Sequence, residues 1–403
     1  MVGGIEIGQI IQDFSVIMII ASTMAFISFK FKQPLVIGYI IAGIIIGPHT
    51  PPFSLILNPD VLNLLAEIGV IFLLFVVGME FPLEKLRQIG RKALIIALSE
   101  AFGTFVIGFS VGVFLLDFSF FDSAFVALAI SVTSTIIIMK VLEELDIIKE
   151  KASYIILGVV IIEDIIIVSM LAVLQSISIP SGNFSVIDIL ISVSITLAFI
   201  FGVLLIGSKT IPKFINFIGK HNHHEILLLV VLGIAFGLSF ISYQIGISVA
   251  AGAFFAGVLV AESKVHTVTR VLATPIRDMF GAIFFVSVGA LMDMSLIAIF
   301  IIPAIILIAV SIFAKFFTVF ISAKSQGFDS LTSMKVAFGL SSSGGELALV
   351  VAKGGIDTGV TSAFILPMIG AMTIITTFIS PYMIKLGWKV PNSIFAKDKN
   401  KDE

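Results

Sequence analysis

Two adjacent carboxylic acids, Glu163 and Asp164, stand in the middle of an apolar run from Ile155 to Ile177. A helix of about 20 residues crosses the roughly 30 Å hydrocarbon core of a bilayer, so this run is long enough to span a membrane. An ionised side chain at the bilayer centre costs on the order of 3 kcal/mol on insertion scales. We therefore expect the acid pair to be a functional site. The alternative is that one acid only neutralises a buried base.

The composition indicates a polytopic membrane protein. Of the 403 residues, 58% are hydrophobic and only 12% are charged, against about 25% charged residues in soluble domains. The absence of cysteine excludes disulfides, thiol catalysis and cysteine-ligated metals. A net charge of -2 gives no sign of nucleic-acid binding, and the first residues lack the basic region of a signal peptide. We predict a multi-pass protein of the plasma membrane that retains its first helix.

Apolar runs separated by charge clusters, Gly or Pro predict thirteen membrane spans. They cover residues 7–29, 34–47, 61–79, 93–116, 122–140, 154–177, 185–208, 225–245, 247–261, 279–292, 295–323, 332–352 and 361–386. Of the 24 Lys and Arg residues, all but Lys315 and Lys353 fall in the loops after odd-numbered spans or in the C-terminal tail. Because basic loops stay in the cytoplasm, this asymmetry predicts an external N-terminus and a cytoplasmic C-terminus.

The spans also repeat. Residues 38–47 resemble residues 252–261, and residues 68–78 resemble residues 280–289. The partners are seven spans apart, and seven is odd, so the second copy must enter the membrane from the opposite side. We therefore predict a single transmembrane domain, residues 1–403, with an inverted repeat. Residues 7–177 form the first copy, 185–208 a linker helix, 225–386 the second copy and 387–403 a short tail. Such repeats are typical of secondary transporters.

Two corresponding spans carry polar, helix-weakening patches at mid-span: residues 131–135 are Ser-Val-Thr-Ser-Thr, and residues 341–346 are Ser-Ser-Ser-Gly-Gly-Glu. Discontinuous helices at matching positions of two repeats mark the binding site of many transporters, because their free backbone groups line it. The alternative is close packing of intact helices through small residues. We predict two broken helices here.

At 1.5 Å per residue, the acid pair, Lys315, Thr133 and Gly344 all lie near the middle of the membrane. Lys315 should therefore pair with one acid, while the other, about 100° away on the helix, faces the broken helices. Helical phase alone does not decide which acid does which, and we assign Asp164 to ion binding and Glu163 to Lys315. With the hydroxyls of Thr133 and Ser134, Asp164 would make an oxygen site at which Na+ or K+ competes with H+.

The chain resembles the monovalent cation:proton antiporter-2 family, which includes Kef-type potassium efflux proteins and bacterial Na+/H+ antiporters. The resemblance rests on residues 34–48 and 67–80, on Glu163-Asp164 and on residues 344–347, Gly-Gly-Glu-Leu. It implies that Asp164 binds ion and proton and that Lys315 pairs with position 163. It also implies two crossing broken helices, a core domain that moves against a dimerisation domain, and a homodimer.

Three departures from the family pattern are clear. The sequence ends at Glu403, so we expect no nucleotide-binding regulatory domain of the kind attached to many Kef-type proteins. Position 163 holds Glu, where electrogenic relatives have Asp and Kef-type proteins have Gln. The first crossover contains no charged residue, and its polar side chains are all hydroxyls, so no charge within it compensates the helix dipoles. Glu100 would line an ion funnel or be satisfied by a neighbour. The supporting residues at the crossovers would be Ser131, Ser343, Gly344, Gly345 and Glu346, with Glu346 holding the second crossover together.

The sequence thus predicts an all-α Na+/H+ antiporter with thirteen transmembrane helices, alternating access and no cofactor. K+/H+ exchange or K+ efflux is the nearest alternative, and an ion channel or an organic-anion symporter fits less well. We expect no enzymatic activity.

Overall fold

The computed structural model describes residues 7–31, 33–50, 55–56, 59–80, 83–178, 186–220, 223–341 and 344–390. These residues form helices and connecting turns, with no strand among them. The helices are α1 Ile7–Lys30, α2 Leu35–Ile46, α3 Pro59–Met79, α4 Leu83–Phe114, α5 Phe120–Ser131, α6 Thr135–Glu144, α7 Lys151–Ile177, α8 Val186–Gly202, α9 Ser208–Gly219, α10 His224–Gln244, α11 Val249–Ala261, α12 His266–Ala290, α13 Ile297–Ser325, α14 Ser330–Leu340, α15 Glu346–Asp357 and α16 Ile365–Lys389.

Helices occupy all thirteen predicted spans. Within the described ranges, nine helices are long and apolar enough to cross a membrane, and α2, α5 and α11 are shorter apolar helices. The all-helical membrane architecture is therefore confirmed, while the exact number and direction of crossings stay predictions.

The helix of the seventh predicted span continues beyond residue 208, where the span was predicted to end. A π-helical turn, Val203–Gly207, joins α8 to α9, and the helix continues to Gly219. Lys209 and Lys213 end the apolar run, but lysine favours helix, so the polarity change does not end the helix itself.

The fifth and twelfth predicted spans are both broken. Between α5 and α6 the backbone of Val132 is extended, with φ of -68° and ψ of 138°. Ser134 then caps α6, its side chain accepting a hydrogen bond from the N–H of Ile137. Serine and threonine favour such caps because their oxygens replace missing helical partners. In the second break, Gly345 is extended and precedes α15, while residues 342–343 lie outside the described part. The predicted discontinuities are thus present.

The chain divides into two compact units. The first unit comprises Met1–Glu84 and Ala172–Leu296, and the second comprises Lys85–Leu171 and Ile297–Glu403. Every residue discussed below as part of the candidate site belongs to the second unit.

Glycines allow backbone contact between helices of the first unit. Gly43 of α2 lies against the carbonyl oxygen of Val286 in α12, and Gly257 of α11 lies against that of Phe75 in α3. A Cβ atom at either glycine would collide with backbone. The predicted repeat matches Gly43 with Gly257 and, counting back three residues from Gly78 and Gly289, Phe75 with Val286. The two contacts are therefore equivalent under that correspondence.

A second pair of glycine contacts is also equivalent under the predicted repeat. Gly78 of α3 lies against the carbonyl oxygen of Phe254 in α11, and Gly289 of α12 lies against that of Ile40 in α2. The predicted repeat matches Gly78 with Gly289 and Ile40 with Phe254. The packing of α2 on α12 and of α3 on α11 thus has the reciprocity that a twofold repeat requires.

The second unit is held by an apolar core and by polar contacts at its ends. Its core joins buried residues of α4, α6, α7, α13, α14 and α16. Just before α7, Glu150 accepts hydrogen bonds from Lys335 of α14 at 2.8 Å and from the indole N–H of Trp388 in α16 at 2.9 Å. Near the start of α5, Asp122 accepts hydrogen bonds from the N–H and the hydroxyl of Ser362.

The glycine contacts predict a position-specific effect of added methyl groups. Gly78→Ala should destabilise the protein by roughly 1–3 kcal/mol, because backbone must move to admit a Cβ. Gly237→Ala on α10, where nothing lies within 4 Å of the added atom, should be neutral or stabilising by up to about 1 kcal/mol. Melting temperatures of the two detergent-purified variants test this. Equal effects would contradict the packing described.

The contacts of Glu150 predict a pH-dependent contribution to stability. Partial burial acts to raise its pKa, but the hydrogen bonds from Lys335 and Trp388 outweigh this, so the pKa lies below its usual range. A lowered pKa stabilises the fold above the ordinary Glu value of about 4.3, and this contribution is lost as pH falls through the folded-state value. Since the pair is partly exposed, Glu150→Gln should cost under about 1 kcal/mol at pH 7. In melting curves recorded from pH 7 downward, the difference should vanish in acid.

Candidate functional site

The acid pair lies at the middle of α7, with both side chains buried. Glu163 is 0% exposed and Asp164 is 3% exposed. Because adjacent helical residues point about 100° apart, the two carboxyl groups meet different neighbours. Glu163 lies 4.0 Å from Lys315 of α13, and Asp164 accepts a hydrogen bond from Thr135 of α6.

Lys315 joins α13 to the first helix break. It is 1% exposed, and its ammonium group donates to the carbonyl oxygen of Val132 at 2.6 Å and to the hydroxyl of Thr133 at 2.7 Å. On the same face of α13, Ser311 donates to the carbonyl oxygen of Ile130. These carbonyls belong to the C-terminal end of α5, where helical partners are missing and the dipole is negative. No residue of the first crossover is charged, and the charge that faces this helix end comes from Lys315 of α13.

Glu100 of α4 belongs to the same cluster. It is 0% exposed, accepts a hydrogen bond from Thr133 at 3.2 Å and lies 3.7 Å from the ammonium nitrogen of Lys315. The sequence left two roles open for Glu100: lining an ion funnel, or being satisfied by a neighbour. Its contacts with Thr133 and Lys315 correspond to the second role. Lys315 therefore faces two buried carboxyl groups, Glu100 and Glu163, rather than Glu163 alone.

The groups in this cluster are unequal in number, because one ammonium group faces two carboxyl groups. Both oxygens of Glu163 and one oxygen of Glu100 have no hydrogen-bond partner within the described part of the chain. An unpaired buried charge is costly, so removing Lys315 would leave two acids without compensation.

Asp164 lies beside the point where the two breaks meet. Its Oδ2 accepts from the Thr135 hydroxyl at 3.0 Å, and Thr135 is the first residue of α6. The N-terminal end of a helix is positive and favours a nearby carboxylate. The preceding residue, Ser134, approaches Gly345 of the second break so closely that a Cβ on Gly345 would lie 3.1 Å from the Ser134 Cα.

The remaining predicted residues are more peripheral. Ser131 is buried and donates its hydroxyl to the carbonyl oxygen of Ala127, and the N–H of Gly344 donates to Thr376 of α16. Glu346 begins α15, but its side chain is outside the described part. Ser343 also lies outside the described residues.

Thr135 and Thr376 were not predicted as site residues. Thr135 stands in the hydroxyl patch that marked the break, and its contact with Asp164 depends on where α6 begins. Thr376 carries no signal in the sequence, because threonines are common in apolar helices. Its contact with Gly344 needs the tertiary arrangement of α16.

The family assignment follows from a direct comparison. Residues 16–389 match the family model described as sodium/hydrogen exchanger, transmembrane. The chain belongs to this family of transmembrane transporters. The resemblance inferred from its motifs is thereby confirmed.

Several named exchangers are similar in sequence to this family member. It is 28% identical to the Na+/H+-K+ antiporter GerN of Bacillus cereus, over 96% of this chain and 97% of GerN. It is also 28% identical to the high-affinity Na+/H+ antiporter NhaS3 of Synechocystis, over 87% of this chain and 76% of NhaS3. The similarity to the putative cation/proton antiporter YbaL of Escherichia coli is 28% and spans only 61% of YbaL.

A solved structure has the same fold. The sodium proton antiporter MjNhaP1 of Methanocaldococcus jannaschii matches with a TM-score of 0.74, covering 96% of this chain and 99% of MjNhaP1. At 18% sequence identity this likeness shows the fold alone.

Lys315→Met should destabilise the protein strongly. It removes the charge facing Glu100 and Glu163 and the donor to Val132, and losing one partner of a buried ion pair typically costs about 3–5 kcal/mol. Lys353→Met is the matched control, since Lys353 is also buried but pairs with the part-exposed Asp357. Melting temperatures should fall much further for Lys315→Met, and adding Glu163→Gln should restore part of the loss. Equal losses would contradict the role given to Lys315.

Proposed function

We propose that this exchanger moves Na+ and H+ in opposite directions across the plasma membrane by competition for Asp164. The observation that carries the proposal is the position of Asp164: a buried carboxyl group beside the meeting point of two broken helices. A carboxyl group buried at this position is stable in two states: protonated, or ionised and paired with a cation.

In this proposal, the exchange of cation and proton needs only one ionisable group, the Asp164 carboxyl group. When Asp164 is protonated, its charge is neutral, and a cation that binds the carboxylate must displace the proton. Loss of the cation lets a proton return, so the two ions cannot occupy the carboxylate together. Alternating exposure of this one site to the two sides then gives antiport.

The oxygens around Asp164 suit a small cation. The proposed ligands are Asp164, the hydroxyl of Ser134 and backbone carbonyls freed by the breaks. The Thr133 hydroxyl, predicted as a further ligand, already accepts from Lys315 and donates to Glu100. Hard cations such as Na+ prefer oxygen ligands of this kind. Thr135, whose hydroxyl hydrogen-bonds Asp164, would orient the carboxylate.

Lys315 and Glu163 would serve Asp164 without exchanging cations. Lys315 fixes the end of α5 through Val132 and Thr133, and so holds the break in place. Glu163 supplies part of its counter-charge. In this proposal, exchange is electrogenic only if the Glu163 cluster also gives up a proton.

The named relatives support both Na+ and K+ as candidate cations. GerN and NhaS3 are named as Na+/H+ antiporters, and KhtU of Bacillus subtilis, 25% identical, is named a K+/H+ antiporter subunit. K+/H+ exchange therefore remains the second candidate. We further propose a homodimer without a cofactor, with its N-terminus outside and its C-terminus in the cytoplasm.

The decisive experiment is ion exchange in reconstituted vesicles that contain a pH-sensitive dye. Adding Na+ should move protons in the wild type, and Asp164→Asn should reduce this movement by at least about 100-fold, because an amide cannot exchange a proton. Glu143→Gln, an exposed acid on α6, is the matched control and should exchange normally. Parallel additions of K+ and Li+ determine the preferred cation.

Two results would overturn the proposal. Normal exchange by Asp164→Asn would place the site elsewhere, and a conductance without proton movement would indicate a channel. A membrane potential imposed on the same vesicles measures the charge moved. If Glu163→Gln keeps exchange but removes voltage dependence, the second acid carries a proton.

A further inference from the structure

The helix α9 differs from the apolar helices around it because its basic residues are concentrated on one face. At 100° per residue, Lys209, Lys213 and Lys220 fall within an arc of about 40°. Phe217 and Phe214 follow on the adjacent face, about 80° and 140° from Lys209. Both rings are exposed, at 59% and 52%. A cationic face therefore lies directly beside an aromatic one.

The opposite face of α9 is fixed to the first unit. Pro212 and Ile215 are buried, and Gly207 and Gly219 closely approach the side chains of Leu259 and Val265. Gly207 and Asn216 lie at the two edges of the exposed arc, about 160° and 340° from Lys209, and Asn216 accepts a hydrogen bond from the N–H of Lys264 at 2.7 Å. Between these edges, Lys209, Lys213, Phe214 and Phe217 stay exposed.

The basic face is uncompensated within the described part of the chain. Lys209, Lys213 and Lys220 form no ion pair with another described residue. They also belong to the loops whose basic residues predict a cytoplasmic location. The cytoplasmic leaflet is the membrane surface that carries negative charge.

We propose that α9, which continues α8 through the π-helical turn, binds anionic phospholipid headgroups through Lys209, Lys213 and Lys220, with Phe214 and Phe217 inserted beside them. Lysines at the end of a membrane-crossing helix reach the headgroup region, and aromatic residues beside them favour the membrane–water interface. The aromatic rings favour a lipid surface over free phosphate, which would use the charges alone.

The effect of the charges can be estimated. Each basic residue near an anionic surface strengthens binding roughly fivefold at low salt. Three lysines would therefore contribute on the order of 100-fold, and salt would reduce this, because the Debye length is only about 8 Å at 0.15 M.

Native mass spectrometry of the detergent-purified full-length protein tests the proposal. Phosphatidylglycerol and phosphatidylcholine with the same acyl chains are titrated in parallel. The wild type should bind phosphatidylglycerol at least about tenfold more tightly. The triple variant Lys209→Gln, Lys213→Gln, Lys220→Gln should lose this preference, whereas the corresponding triple Arg variant should keep it.

A matched control separates this site from general charge. The triple variant Lys140→Gln, Lys149→Gln, Lys389→Gln removes three exposed lysines from the second unit and should keep the preference. Phe214→Ser with Phe217→Ser should weaken binding of both lipids. Equal binding of the two lipids by the wild type, an equal loss in the control, or displacement by equimolar inorganic phosphate would each overturn the proposal. None of these outcomes depends on ion exchange.

Discussion

The buried ammonium group of Lys315 is the contact on which the second unit depends. A helix broken inside a membrane leaves carbonyl groups without partners, and the bilayer offers no water to satisfy them. Lys315 donates to Val132 and Thr133 at the end of α5, and it lies within 4.0 Å of Glu100 and Glu163. One positive charge thus stabilises a helix end and two acids. The break, in turn, positions Thr135 against Asp164.

Most of the fold could be predicted from hydropathy, because each span must satisfy its own backbone and cover itself with apolar side chains. The broken helices were also predictable, since the patches at Ser131 and Ser341 contradict the pattern of the spans around them. The end of the seventh span was not. Hydropathy marks where a helix leaves the lipid, whereas the helix itself continues through α9 to Gly219, even though Pro212 inside it donates no backbone hydrogen bond.

The depth of the candidate-site residues in the membrane could be predicted from the sequence, but their individual contacts could not. Distance along a helix predicted one level for Asp164, Glu163 and Lys315, and the 100° turn between adjacent residues predicted different neighbours for the two acids. It did not give Glu100 its place beside Lys315, because that contact joins α4 to α13 across more than 200 residues. The link between Thr135 and Asp164 likewise required knowing at which residue α6 begins.

The reciprocal glycine contacts of the first unit bear on how the protein is made. Gly43 and Gly78 emerge from the ribosome well before Val286 and Phe254, the residues they touch, by about 240 and 180 residues. At 5–20 residues per second, α2 and α3 wait on the order of 10–50 s for α12 and α11. During that time their glycine-lined grooves face lipid or the insertion machinery. Neither half of the chain can bury these surfaces alone, so assembly of this unit is completed only late in synthesis.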